Sequence, residues 1–171
     1  MRVLTDDHES LNKLLLELMV FVRRSDFRWS FELLDLFCTQ LAVHIRAENV
    51  CLFPAILNAP NNRFTDAGFE LTALKAAIER LKLEHNILTE ELMKAARLMR
   101  QLMNDNENGE LTDETVKSLA AVAILLAEHQ ELEEREVCQA AKLVLDPAEF
   151  ALLEEAVARE THKRPEDLHE N

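Results

Sequence analysis

Helix breakers are scarce in this chain: 171 residues contain only 2 Gly and 4 Pro, and no Tyr at all. With so few turn formers, in a composition rich in Leu, Ala, Glu and Lys, the chain reads as helical. Basic charge is also short, 19 Lys and Arg against 32 Asp and Glu, for a net charge of −13. That balance, with no basic patch interleaved with aromatics, argues against nucleic acid as a partner. No uncharged apolar run approaches the length that crosses a bilayer, and MRVLTDDHES lacks the basic start and apolar core of a signal peptide. The expectation is a soluble, cytoplasmic protein with no membrane partner. The 3 cysteines, Cys38, Cys51 and Cys138, are odd in number, lie in apolar helical segments and form no CxxC pair. They are read as buried reduced thiols.

What is present is periodicity. At 19.6 kDa the chain fits one domain. Residues 5 to 24 place His8, Leu11, Leu15, Leu18 and Val22 on one face, with Thr5 as a cap. A second helix from near Trp29 carries Leu34, Phe37, Leu41, His44, Glu48 and Leu52 and is expected to break near Pro54, before a connecting loop at 58 to 66. A third carries Leu71, Leu74, Ile78, Leu81, His85, Leu88, Leu92 and Met99 and stops in the polar run at 104 to 110. A fourth, from Thr112 or Asp113, carries Leu119, Val122, Leu126, His129, Glu133, Val137 and Ala140. Asp146 before Pro147 reads as the N-cap and first position of a short fifth helix, ahead of a frayed tail. The fold expected is all-α: an antiparallel up-down-up-down four-helix bundle over 1–145, with 146–171 packed on the same domain as a short helix and tail.

Of the 6 histidines, His8, His44, His85 and His129 lie on these apolar stripes, and His162 and His169 are read as solvated tail residues. His44 begins HIRAE and His129 begins HQELE, each ending in a glutamate, Glu48 or Glu133, on the same helix face. At about 1.5 Å of rise per residue, similar distances from the connecting loops put all these groups in one layer of an up-down-up-down bundle. Two buried carboxylates without counter-charge would cost several kcal/mol each, and divalent cations would supply that charge. Ligation by nitrogen and oxygen alone suits iron or manganese, with zinc also compatible.

The order His, HxxxE, His, HxxxE resembles the hemerythrin-like HHE cation-binding domain over about residues 5 to 145, supported by DDHESLNKL, HIRAENVCLFP and LEHNILTEEL. The resemblance implies two iron ions, held by His8, His44, His85 and His129, with Glu48 and Glu133 as bridging carboxylates. It implies non-haem di-iron chemistry: binding or sensing of dioxygen or nitric oxide, or iron handling. Many relatives carry a fifth histidine ligand, and this chain has none inside the bundle, which argues against reversible dioxygen carriage. The chain also resembles bacterial iron–sulfur repair proteins, but the cysteine-bearing N-terminal segment usual in those is not expected ahead of His8.

Other polar residues get plainer readings. Glu134 and Glu136 follow Glu133 closely enough to act as acceptors behind the ligand set, but are taken as a solvated acidic face, and Asp7 and Glu84 as first-turn or surface charges. Met93, Met99 and Met103 are taken as core filler, and Trp29 and Phe53 as ordinary packing. A metal and small-ligand binding module is favoured over a redox enzyme, since no Glu-x-x-His pair of the ferritin-like kind falls in the four long helical segments. A metal-free helical interaction protein is the third reading; a homodimer is left open.

Overall fold

The computed structural model describes residues 1–105 and 108–161, and every regular element among them is helical. Helix α1 spans Arg2–Arg23. Helix α2, Phe27–Ala47, runs on through a π-helical segment, Glu48–Leu52, into α3, Phe53–Leu57. A short α4, Asn61–Asp66, precedes α5, Leu71–Asn104. Helix α6, Gly109–Leu132, continues through a second π segment, Glu133–Cys138, into α7, Gln139–Val144, and α8 covers Pro147–Thr161.

The expected stripes are the buried faces: every stripe residue named above is buried except Leu71, which is partly buried. The expected ends differ. Helix α1 starts a turn before Thr5, whose hydroxyl donates to the Met1 carbonyl instead of capping. Asp26 caps α2 through the Trp29 amide, so that helix begins at Phe27. Asn108 accepts from the Leu111 amide at 3.0 Å and starts α6 earlier than Thr112. Pro54 does not end the second helix, because it falls in the first turn after the π segment, where the regular ladder is already interrupted. The loop at 58 to 66 contains α4, anchored by the buried Phe64 and closed at Gly68, whose φ of 73° suits glycine. Asp146 does cap α8: its Oδ1 accepts from the Ala148 and Glu149 amides while Glu149 reaches back to the Asp146 amide. The tail histidines and the frayed-tail expectation lie outside the described residues.

Helix α1 packs on α2 and α6, and α5 packs on α6 and α2. The interior holds two apolar cores. One contains Leu4, Ala47, Leu52, Phe53, Leu81 and Leu132, and is extended by Leu153 and Val157 of α8. The other contains Leu11, Leu41, Leu88 and Leu126. On each long helix a histidine separates the two: His8 lies between Leu4 and Leu11, His44 between Leu41 and Ala47, His85 between Leu81 and Leu88, and His129 between Leu126 and Leu132. The chain therefore passes from the first core to the second along α1, back along α2, and repeats this along α5 and α6.

Met99 is core, but Met93 and Met103 are more than half exposed, as is Trp29. Cys138 is buried, whereas Cys38 and Cys51 are only partly buried; no disulfide joins any of the three.

Candidate metal centre

Between the two cores lies a polar layer built from one position per long helix plus one glutamate at the start of each π segment. His8, His44, Glu48, His85, His129 and Glu133 are all no more than 5% exposed. Their ligand atoms form two adjoining groups, His8 with His44 and Glu133, and Glu48 with His85 and His129, each within 4.8 Å. The imidazoles pair as His8–His44, with ring centroids 4.9 Å apart, and His85–His129, 4.8 Å apart. All six residues singled out from the sequence are thus brought together.

The two carboxylates are placed differently. Glu48 spans the groups: Oε1 is 2.8 Å from His44 Nε2 and 3.7 Å from His129 Nε2, and Oε2 is 2.8 Å from His85 Nε2. Glu133 Oε2 is 2.9 Å from His8 Nε2 and 4.0 Å from His44 Nε2. Its Oε1 accepts instead from the Cys138 thiol at 3.3 Å. Despite these approaches, all four Nε2 atoms, both oxygens of Glu48 and Oε2 of Glu133 lack a hydrogen bond of acceptable angle. They face one another as acceptors and lone-pair donors face a shared cation. So many buried, unsatisfied polar atoms in one layer are costly without an ion among them, and the set fits hard-to-borderline metal cations.

Electrostatics in the layer follow from burial opposed by neighbours. Burial disfavours protonated His44, but Glu48, Asp7 and Glu133 together push it up to about 10. His129 is raised, against the burial effect, by Glu48, Glu133 and Glu84. Burial would raise Glu48, but His44, His129 and His85 hold it well below the usual carboxylate range. Burial, then Glu133, push the Cys138 thiol far up, so it stays protonated.

Behind this layer three acids read as surface charges also approach the imidazoles, Glu134 while remaining half-exposed. Asp7 Oδ2 lies 3.6 Å from Nδ1 of His44, Glu84 Oε2 lies 3.2 Å from Nδ1 of His129, and Glu134 Oε1 lies 2.8 Å from Nδ1 of His8. At His8 and His129 the carboxylate is hydrogen-bonded to Nδ1 and fixes the ring and its tautomer so that Nε2 presents a lone pair inward, whereas Asp7 stops short of a hydrogen bond to the buried Nδ1 of His44. Glu84 is itself held by Arg80 at 2.7 Å. Glu136 does remain a surface acid, paired with Arg135. The missed signal is a repeat: an acid immediately precedes His8 and His85, and in each half it backs the histidine of the next long helix. No carboxylate among the described residues lies within 4.0 Å of Nδ1 of His85; Phe53 stacks on that ring, centroids 6.4 Å apart and 15° from parallel.

The sequence profile of one family, the hemerythrin HHE cation binding domain, matches residues 1–141. No curated protein and no solved structure matches the chain. No helix among the described residues is long and apolar enough to cross a membrane.

Proposed function

Because the chain belongs to the hemerythrin HHE cation-binding family, we propose that it is a dinuclear, non-haem iron protein that binds a small diatomic ligand, dioxygen or nitric oxide, or handles iron. The observation that carries this reading is the buried layer of unsatisfied imidazole nitrogens and carboxylate oxygens, divided into two adjoining groups. His8, His44 and Glu133 would hold one ion, His85 and His129 the other, and Glu48 would bridge them. Two of the four imidazoles, His8 and His129, are hydrogen-bonded to a carboxylate through the outward nitrogen, and His44 has Asp7 at 3.6 Å from its own, an arrangement that turns Nε2 inward and raises its basicity as a donor. The alternation of the four long helices between the two apolar cores supports an antiparallel up-down-up-down bundle as the frame. Residues 146–161 belong to that frame, because Leu153 and Val157 complete the first core.

When bound, iron supplies redox-active centres with open positions for a small ligand. This chain's own contribution is to fix the donors, exclude bulk water with two apolar cores, and place Phe53 against His85. The test is metal content of three variants. Glu48→Gln and Glu133→Gln should each fail to hold two ions, whereas Glu136→Gln should hold two; equal retention by all three would refute the ligand set.

A further inference from the structure

The two halves of the chain repeat each other through the HxxxE pairs and then part company. Both glutamates open a π-helical segment, and in that wider turn the residue five positions on is brought over the glutamate. In the first half that residue is Phe53, whose ring lies on His85. In the second half it is Cys138, whose thiol lies 3.3 Å from Glu133 Oε1 and is only 4% exposed. The consequence shows in the carboxylates. Glu48 keeps both oxygens free of hydrogen bonds and aimed at histidines of both groups. Glu133 keeps one free, Oε2, with no exposure to solvent and His8 and His44 as its neighbours.

We infer that Cys138 is a positioning residue for the metal pair: its S–H donates to Oε1 of Glu133 and so fixes the rotation of the carboxylate, with Oε2 turned to His8 and His44. The two carboxylates are then held differently, Glu133 restrained by a thiol and Glu48 with both oxygens free of hydrogen bonds. This rests on the dinuclear reading proposed above and assigns within it a role to a thiol that ligates nothing. A thiol is a weak donor that stays protonated when buried, so it can restrain a carboxylate oxygen without competing for the cation. Exposed Asn49, which stands where the second half has Glu134, bonds only to the Ile45 carbonyl, so the second half carries both added restraints.

Two measurements test this. The first is the S–H stretch of metal-free protein by infrared difference spectroscopy, wild type minus Cys138→Ala, which isolates one thiol of the three. The band should sit at the lowered frequency of a donating thiol, and the corresponding band in Glu133→Gln should move toward that of a free thiol. The second is anaerobic ferrous titration of wild type, Cys138→Ala and Cys138→Ser. Cys138→Ala should bind the weaker of the two ions about 10- to 100-fold less tightly, and Cys138→Ser, which keeps a donor, should restore most of that loss. A thiol band indifferent to Glu133→Gln, or Cys138→Ala with wild-type affinity for both ions, would overturn the assignment. Failure of the wild type itself to take up iron would instead sink the dinuclear reading, and the inference with it, before any variant is compared.

Discussion

At the scale of single residues, the outward nitrogens of the histidines separate structural from incidental acids. Glu84 and Glu136 look alike in the sequence, each an acid in a charged run, yet Glu84 is 17% exposed and bonded to His129 while Glu136 pairs with Arg135 at the surface. Replacing Glu84 by Gln should weaken metal binding by about 10- to 100-fold, and Asp7→Asn and Glu134→Gln should act in the same direction. Competition with a chromophoric chelator measures this; loss of affinity in Glu136→Gln of the same size would show that net acidity, not contact with the imidazole, is responsible. The four histidines of the buried layer were legible because a histidine on an apolar stripe conflicts with its surroundings. Their carboxylate supports were not, since an acid flanking a stripe is ordinary, and only the neighbouring helix reveals what it touches. The burial of Cys138 was legible too, while its reach to Glu133 depends on a π turn with no mark in composition.

At the scale of elements, spacing read the four stripes correctly and read their ends less well. Caps decide ends, and Asn108 and Asp26 were passed over in favour of positions nearer the apolar runs. Pro54 misled because a proline normally stops a helix, whereas here a widened turn precedes it. The reading of Asp146 succeeded because the DPxE pattern carries its own reciprocal bonds. Asp146→Ala should therefore destabilise the protein by about 1 kcal/mol, seen as a lower urea midpoint with little change in slope. Since α8 contributes Leu153 and Val157 to the core beside the ligand layer, the loss should appear in the main unfolding transition. A separate early transition confined to α8 would contradict that packing.

At the scale of the whole molecule, a polar layer sandwiched between two apolar cores makes stability depend on what fills it. Chelation of the metal-loaded protein should lower Tm by roughly 10 °C, from a binding contribution of about 4 kcal/mol at a thousandfold excess over Kd. An unchanged Tm would favour a metal-free interaction protein. The pH dependence should differ between the two states. In metal-free protein His44 is raised to about 10 from an ordinary value of 6.5, so its contribution is whole below pH 6.5 and is lost as pH climbs through about 10. Glu48, lowered from its ordinary 4.5, contributes above that value and loses its contribution as pH falls through its folded value. Metal binding requires neutral imidazoles and strengthens as pH rises. The gap in Tm between loaded and chelated protein should therefore widen from roughly pH 6 to pH 9, and thermal melts across that range would show it. A gap that narrows would mean that the imidazoles are not the ligands.

The central claim is that this layer holds two metal ions, and the most direct measurement is metal content per chain, taken on protein purified without added metal or chelator, with an optical spectrum before and after exposure to air. Two irons per chain and a charge-transfer band that changes in air are the predicted result. No bound metal, even after anaerobic reconstitution with ferrous iron, would contradict it.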